Sequence, residues 1–552
     1  MAALRGTRMR ASWFAGIFAV GLGVVGTMTA SGCIFVYYED DCERARDCPT
    51  GATGTGGAMS SSSSSGTGGM APGCEGDPTV DATLVREECG VFVSASAMKG
   101  GKGTKASPYQ TFAEAAAAAD VKRIYACAQK YAETGPIVFT GGVEIYAGFT
   151  ECDKQGGWWW TPVSKASLTG PADTVSLTLN GGPNHIENMN VVAPNASIPG
   201  GSAVAMLVSG GSLEMSDGSI TAGDAMAGVA GMSLMDDMTL DGDTGDNGVG
   251  ICSSAANNKG PIGKKKTCPA GDSSTAGNGG DGGEFMMSLP QPAGDGGDGI
   301  PKDGAQATDG KGGVGEGALV CKSGTDGVPG GAGDSGIGAS GYGAISAKDL
   351  YQGTAGKDGT SGKPGQGGGG GGGAKGGLLI TCMAVAADRV GASGGAGGTG
   401  GCGGMMGGGG KAGGSSLALV VLDATVALTN VTLVSGKGGD GGKGGTGQSG
   451  GSKGTGGTFA KGAGGTNDSC QGQSGGKGGK GGPGGGGQGG HSLGIAFMGT
   501  TAPSGVTVTP EPLKKGSGGP GGFGNMTANG GNGADGMAFA CWDFDKGKEC
   551  SP

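Results

Sequence analysis

Glycine supplies 139 of the 552 residues, and most of it lies in long tracts between about positions 242 and 536. Glycine has no side chain to bury, and ordering it costs more backbone entropy than ordering any other residue. A hydrophobic core must therefore come from the short apolar, β-branched segments that the tracts separate. Because those segments resemble one another, we expect the chain to be built from stacked repeats.

The best internal repeat relates residues 202–224 (SAVAMLVSGGSLEMSDGSITAGD) to residues 416–440 (SLALVVLDATVALTNVTLVSGKGGD). Each copy has an apolar strand, a tight turn, an alternating strand interrupted at Asp217 or Asn430, and a glycine-rich exit. One copy cannot bury its own apolar face, but stacked copies can. Fainter copies lie at 377–395 and 491–508.

The glycine tracts are expected to be loops that leave these stacked coils, at residues 241–376, 391–414, 436–490 and 515–536. Glycine recurs at every third residue over short spans, but collagen needs a sustained Gly-X-Y period that is rich in proline. The period breaks within a few triplets and the chain has only 23 prolines. Composition favours disorder or loose polyglycine-type packing for these tracts.

The N-terminus has the anatomy of an export signal. Three arginines within the first ten residues precede a nearly apolar stretch at 13–30, and Ala30-Ser31-Gly32-Cys33 follows. A cysteine directly after small residues resembles the lipobox of bacterial lipoproteins, although Ala30 stands where leucine is commonest. The resemblance implies that Cys33 is lipidated (palmitate among the acyl chains) and that the protein is held at the cell envelope, on the outer membrane, in the periplasm or at the surface. The alternatives are ordinary signal cleavage with Cys33 in a disulfide and, with less support because no clear stop-transfer flank follows, a single transmembrane anchor.

These features divide the chain into five parts. They are a signal peptide (1–32), a cysteine-containing mature start (33–50), a Gly/Ser tether (51–73), a first folded part (74–240) and a glycine-rich part (241–552). The glycine-rich part contains the further repeat segments 377–395, 416–435 and 491–508. A flexible tether of this length spans roughly 25–30 Å on average. It would lift the folded part off a membrane.

Residues 90–225 resemble the entry of the right-handed parallel β-helix, as in the pectate-lyase-like superfamily. A strand at 90–94 is followed by a turn with Gly103, Thr104, Pro108 and Tyr109, and then by an alanine-rich helix over 111–119. Strands are expected at 124–127, 143–149, 175–179 and 186–191 from their period-two alternation. The resemblance implies an all-β solenoid with an N-terminal capping helix, here carrying long glycine-rich loops similar to those of PGRS proteins.

The 15 cysteines are an odd number, so lipidation of Cys33 would leave 14 for disulfides. Export to an oxidising compartment favours disulfides, although spacing alone does not give their connectivity. Close sequence neighbours suggest the pairs Cys42–Cys48, Cys74–Cys89, Cys127–Cys152, Cys252–Cys268 and Cys541–Cys550. No cysteine spacing is typical of structural zinc or of haem attachment, and Ca²⁺ is the one cofactor that the sequence leaves possible.

Few side chains have a pattern that indicates chemistry. Asp241, Asp243 and Asp246 form the densest group of oxygen ligands and are candidates for Ca²⁺, but they lack an EF-hand register, and a solvated turn explains them as well. The run Trp158-Trp159-Trp160 is a candidate carbohydrate platform, with packing of one or two of the rings as the simpler interpretation.

Enzymes of the β-helix family cleave polysaccharides with paired carboxylates or with Ca²⁺ and an arginine. The corresponding candidates here are Glu214, Asp217 and Arg389, and no catalytic motif surrounds them. An acidic chain with net charge −10 and 5% aromatic residues does not suit nucleic-acid binding.

The sequence therefore predicts a non-catalytic lipoprotein that contacts polysaccharide or a cell-surface protein, in a structural or adhesive role. The alternatives are a polysaccharide lyase or glycoside hydrolase, a calcium-stabilised surface-layer component, and a disordered glycine-rich coat protein.

Overall fold

The computed structural model describes residues 72–154, 156–251, 258–286, 289–302, 306–377, 390–463, 465–504, 507–508 and 530–550. The described part of the chain is nearly all β, with 3% of residues helical, and it has long parallel sheets. This arrangement is compatible with a solenoid-like fold. Within the described ranges, no helix is long and apolar enough to cross a membrane.

Two ladders of parallel strands share one 11-stranded sheet. The first ladder contains Val91–Val93, Arg123–Cys127, Glu144–Thr150, Pro183–Glu187 and the first halves of Ser212–Ala222 and Thr425–Ser435. The second ladder contains Lys130–Ala132, Ala166–Thr169, Met189–Ala193, the second halves of those two long strands, and Thr507–Val508. A short strand, Trp159–Trp160, pairs antiparallel with Glu144–Thr150.

The third ladder forms a separate seven-stranded sheet. Its parallel strands are Ile137–Thr140, Val175–Asn180, Ala203–Ser209, Ser416–Leu422, Ser492–Met498 and Ala538–Asp543, and Lys548–Glu549 closes it antiparallel. The predicted repeat is therefore a direct pairing: residues of 203–222 lie beside residues of 416–435 in both sheets. The fainter copy at 491–508 contributes Ser492–Met498 to the third ladder.

Apolar side chains at matching positions of successive strands stack into the core. In the first ladder the register aligns Ile124, Ile145, Ile186, Met215 and Leu428, and each is at most 2% exposed. The third ladder has an equivalent row that starts at Ile137 and Leu177. Alternation with a period of two places these residues on one face of each strand. Stacking of successive strands then buries them, which one repeat alone could not do.

The long strands bend where a residue adopts a left-handed backbone conformation. Asn188, Asp217 and Asn430 have φ values of 57°, 51° and 54°, which only glycine, asparagine and aspartate adopt readily. Asn430 Nδ2 donates to Asp217 Oδ1 over 3.3 Å. The Asp and Asn positions of the sequence repeat thus mark the bend between the first and second ladders.

The predicted alanine-rich helix is present but shorter, covering Phe112–Ala117. Thr111 caps it by accepting a hydrogen bond from the Glu114 amide over 3.1 Å. Ala118 is already extended, so the alanine-rich sequence continues past the end of the helix. Two single 3-10 turns, Ala82–Leu84 and Met238–Leu240, are the other helical elements of the described residues.

Three short antiparallel strand pairs lie within the described residues of the glycine-rich part: Lys265–Thr267 with Ser273–Thr275, Phe285–Met286 with Leu289–Pro290, and Ala344–Ser346 with Leu350–Gln352. The last hairpin covers the outer face of the third ladder, where Ile345 and Tyr351 join a buried apolar cluster. His491 anchors this contact: its Nε2 lies 2.8 Å from the Tyr342 carbonyl, and its Nδ1 accepts from the Met537 amide.

The described glycine tracts are bundled segments joined by backbone hydrogen bonds at every third residue. The amides of Gly356, Gly359 and Gly362 donate to the carbonyls of Gly410, Gly407 and Gly404. The same period of three relates residues 401–413 to residues 476–488, in parallel. Three residues per turn without internal hydrogen bonds is the geometry of polyproline II, so the tracts form a bundle of polyproline II-like helices.

The run of seven consecutive glycines, 367–373, lies in the middle of this bundle. Its amides donate in rotation to segments 294–300, 322–325 and 395–398 over 2.8–3.1 Å. Its carbonyls accept from segments 277–280, 313–316 and 470–473. Six neighbours leave no side open, and each of the three triplet positions faces a neighbouring backbone. Only glycine fits at all three positions, which explains why the run is unbroken.

The expectation of loose or disordered loops is therefore wrong for the described parts of tracts 241–376, 391–414 and 436–490. Composition favoured disorder because glycine buries no side chain. The compensating energy comes from backbone hydrogen bonds between segments, which a composition argument does not count. The tract at 515–536 lies outside the described residues except for 530–536.

Three buried glutamines interrupt the glycine pattern and replace backbone contacts. Gln448 accepts from the Met405 amide through Oε1 and donates to the Met235 carbonyl through Nε2. Gln366 and Gln488 make equivalent bridges to segments on either side. Each side-chain amide acts as one more peptide group, so these residues fix how neighbouring segments align.

The described residues contain five disulfides, and three join the expected neighbours: Cys74–Cys89, Cys127–Cys152 and Cys541–Cys550. The expected Cys252–Cys268 pair is wrong, because Cys268 bonds to Cys402. Cys321 bonds to Cys470 in the same way. Both long-range bonds join bundle segments 134 and 149 residues apart in sequence, which the bundle brings side by side. Several other expectations lie outside the described residues: Cys33, Cys42, Cys48, Cys252, Arg389, the signal peptide, nearly all of the tether, and most of the segment at 377–395.

We predict that Gly330→Ala lowers the free energy of unfolding by about 1–3 kcal/mol, because a Cβ there overlaps the carbonyl oxygen of Lys363. Gly331→Ala is the matched control. Its Cβ meets nothing closer than the Lys363 Cδ at 4.0 Å, so stability should change little or rise slightly. Denaturant unfolding of the two variants measures the difference. Equal stability of the two variants would contradict the close packing described above.

Candidate functional site

A cavity of about 560 Å³ opens beside the start of the first ladder, a size typical of ligand pockets. Two segments line it: the chain after strand Val91–Val93, with Ser94 and Ser96, and the loop that follows Cys152. The Cys127–Cys152 disulfide attaches that loop to the neighbouring strand. Lys105 and Trp158 also line the cavity and contribute a positive charge and an aromatic ring.

Trp158 forms an aromatic wall of the cavity. The side chain is 5% exposed and meets the Phe92 ring edge-on, with centroids 4.7 Å apart. Its backbone φ of 72° is a conformation that L residues rarely adopt, so the surrounding structure must hold the ring in place. The indole nitrogen is buried and has no hydrogen-bond partner among the described residues.

The three tryptophans do not form one platform. Trp160 is half-buried, and its Nε1 donates to the Ala147 carbonyl over 2.9 Å. Trp159 points away from the core and is 59% exposed. Packing therefore accounts for Trp158 and Trp160, as the simpler interpretation expected. Carbohydrate contact stays a prediction, with Trp158 at the cavity and Trp159 at the surface.

The electrostatics of the cavity centre on Lys105. Its ammonium group lies 5.5 Å from the centroid of the Phe92 ring and forms no ion pair within the described residues. Lys154, by contrast, is paired with Glu151 over 2.8 Å. Asp153 adds one carboxylate to the lining. Hydroxyls, one carboxylate and one unpaired ammonium beside an aromatic ring are groups that can bind sugar hydroxyls and an acidic substituent.

A second group of polar side chains lies on the outer face of the first ladder. The register places Arg123, Glu144, His185 and Glu214 side by side on four successive strands. Neighbouring strands lie about 4.8 Å apart, so side chains at matched positions are within reach of one another. We call these four residues the polar row.

Arg123 is the most buried member of the polar row, with 1% of its side chain exposed. It pairs with Glu144 over 2.6 Å and donates to the Gly76 carbonyl. A second line of residues runs beside the row, where Glu187 lies 3.6 Å from His185 and Tyr146 lies against the His185 ring. Burial raises the pKa of the Tyr146 phenol well above its usual range, so Tyr146 stays neutral.

Of the three catalytic candidates from the sequence, only Glu214 belongs to the polar row. Asp217 lies at the strand bend and accepts from Asn430, so the structure does not bring it to the same face. Arg389 lies outside the described residues. Sequence reasoning missed Arg123 and Glu144, because their place in the row follows from strand register, and no local motif marks it.

The calcium candidates face different partners. Asp241 accepts from the Ser452 amide over 2.6 Å. The Asp243 carboxylate oxygen Oδ1 lies 3.5 Å from Lys266 Nζ, and Asp246 Oδ1 lies 2.6 Å from Lys264 Nζ. Among the described residues, no group of three or more His, Cys, Asp or Glu side chains is arranged to hold a metal ion. Calcium binding by the three aspartates stays a prediction without a shared centre to support it.

Comparisons with known proteins give no further guide to this site. No protein-family model matches the chain, and neither the curated proteins nor the solved structures contain a significant match. The cavity, the polar row and the bundle are therefore the features that indicate function.

We predict that Glu144→Gln lowers the free energy of unfolding by about 3 kcal/mol, because it leaves the Arg123 charge buried without its carboxylate. Glu214→Gln is the control: it lies in the same row, but its side chain is exposed. Urea unfolding of both variants gives the comparison. A loss of the same size in Glu214→Gln, or none in Glu144→Gln, would contradict the ion pair's structural role.

Proposed function

We propose that the protein is a non-catalytic lipoprotein of the cell envelope, anchored through Cys33, which contacts acidic polysaccharide through the cavity beside Trp158. The N-terminal signal anatomy supports the anchor. The cavity supports the contact, since it combines an aromatic wall, two serine hydroxyls and the unpaired ammonium of Lys105. That cavity is the single observation on which the ligand assignment rests.

The scaffold in this proposal is a right-handed parallel β-helix. Each repeat of the chain adds one strand to each ladder in sequence order, which is how a solenoid grows. Crossovers between parallel strands of one sheet are nearly always right-handed, which supports that hand. The helix Phe112–Ala117 precedes the first complete repeat and packs Phe112 into the same core, as a cap would.

The glycine bundle would serve as a rigid arm of this scaffold. At about 3.1 Å per residue, segment 470–490 extends about 60 Å. The outward positions of the neighbouring segment 436–460 recur every third residue and carry Lys437, Asp440, Lys443, Thr446 and Ser449. A stiff surface with regularly spaced polar groups suits an extended polymer, because little entropy is lost when it binds.

The test measures retention of the exported chain, residues 33–552 with Cys33→Ser, on immobilised acidic and neutral polysaccharides. We expect retention on an acidic polymer and at least a tenfold loss of affinity in Lys105→Gln, because that change removes the unpaired charge. Lys102→Gln is the control, since Lys102 is exposed and lies outside the cavity lining. No retention on any polymer, or equal loss in both variants, would overturn the assignment.

The polar row supports a second candidate, a polysaccharide lyase or glycoside hydrolase. Glu214 and Glu187 lie on adjacent strands beside His185, and paired carboxylates are what glycoside hydrolysis needs. The same incubations should be analysed for shortened chains and unsaturated ends. Products that disappear in both Glu187→Gln and Glu214→Gln would favour this candidate, and retention without products would favour adhesion.

A further inference from the structure

A line of exposed apolar side chains runs along one edge of the glycine bundle. Met226, Val229, Met232, Met235 and Met238 recur at every third residue. The last three are 65%, 89% and 86% exposed. We call these five residues the methionine stripe. It takes no part in the cavity, the polar row or the proposed polysaccharide contact.

The backbone beneath the stripe is fixed by the bundle. The amides of Gly228 and Gly231 donate to Asp440 and Lys443 over 2.8 and 2.7 Å. The carbonyls of Met226, Val229 and Met232 accept from Gly414, Lys411 and Gly408. A Cβ at Gly228 or Gly231 would overlap the neighbouring carbonyl oxygens, so these glycines must face inward. The methionines are therefore turned outward by the packing of the glycines.

Methionine at these positions is not explained by solvation or by the bundle itself. The equivalent outward positions of the adjacent segment carry Lys437, Asp440 and Lys443, which water solvates well. Exposed apolar side chains at consecutive triplet positions mark a surface that something else contacts. Four of the five are methionine, where leucine or valine would give equal apolar area. The feature that distinguishes methionine is its thioether sulfur.

Thioethers are soft ligands that select Cu(I) and its close analogue Ag(I) over Zn²⁺, Ca²⁺ and Mg²⁺. They need no deprotonation, so such a site would bind across a wide pH range. Every cysteine among the described residues is in a disulfide, which leaves the thioethers as the soft ligands of this part of the chain.

The spacing suits shared coordination of one ion by two neighbouring methionines of the stripe. Residues three apart on a polyproline II-like segment lie about 9 Å apart on the same side. Methionine is long, unbranched and flexible, so neighbouring thioethers can turn toward a common ion. Gln448 holds the Met235 carbonyl, which fixes the centre of the stripe. Nearby Asp236 and Asp237 are engaged with Ser449 and Thr239.

We propose that two neighbouring thioethers, Met232 with Met235 or Met235 with Met238, form a two-coordinate site for a soft monovalent metal ion, Cu(I) or Ag(I). The site would bind the ion at the protein surface and independently of the polysaccharide contact.

The test titrates Ag(I) into the exported chain in chloride-free buffer, after free thiols have been blocked with N-ethylmaleimide. The methionine methyl groups are labelled with ¹³C and followed by NMR. We expect a small subset of methyl signals to shift at stoichiometric Ag(I) and none to shift with Zn²⁺. The triple variant Met232→Leu, Met235→Leu, Met238→Leu should lose at least tenfold in Ag(I) affinity. Leucine keeps the apolar surface, and thermal unfolding checks that the fold is retained.

Met98→Leu is the matched control, because Met98 is 88% exposed but has no neighbouring methionine at triplet spacing. It should leave Ag(I) affinity unchanged. Absence of methyl shifts, or equal affinity in the triple variant, would overturn the proposal. A triple variant that binds Ag(I) normally but loses self-association or partner binding would assign the stripe to an apolar protein contact instead.

Discussion

Backbone hydrogen bonds between glycine segments are the interaction on which the glycine-rich half of the molecule depends. They form only where two backbones approach without intervening Cβ atoms. The run at 367–373 shows the limiting case, since neighbours on every side leave room for hydrogen atoms alone. Where a segment reaches the surface, its outward position accepts side chains such as Lys477 and Lys480. The positions of the non-glycine residues in a segment therefore indicate which of its sides face solvent and which face a neighbouring segment.

The stacked strands supply what glycine segments lack, a hydrophobic core and fixed starting points. The long inserts leave the ladders after Ala222 and Ser435 and return at Ser416 and Ser492. Buried serines join these exits and returns: the Ser435 and Ser492 hydroxyls lie 3.1 Å apart, and Ser416 accepts from the Gly436 amide. Since both ends of an insert are held by paired strands, the entropy cost of aligning the glycine segments is partly met by the ladders.

Much of the strand architecture could be predicted from sequence, and the bundle could not. Alternation located the strands near 124–127, 143–149 and 175–179, and the repeat identified the pairing of 203–222 with 416–435. Local spacing found Cys74–Cys89 but not Cys268–Cys402, because the second pair depends on how segments pack. The spacing of glycines within the tracts, unlike their total number, indicates the bundle: Gly475, Gly478, Gly481 and Gly484 recur at every third position. The polar row is likewise invisible before register is known, since Arg123 and Glu214 lie far apart in sequence.

Residue-resolved amide hydrogen exchange over residues 475–485 tests the bundle most directly. The amides of Gly478, Gly479, Gly481 and Gly482 all donate to neighbouring segments, whereas those of Lys477 and Lys480 have no acceptor among the described residues. We predict slow exchange at the four glycines and fast exchange at the two lysines, a pattern with a period of three. Fast exchange at every position would show a loose tract and would contradict the hydrogen-bonded bundle.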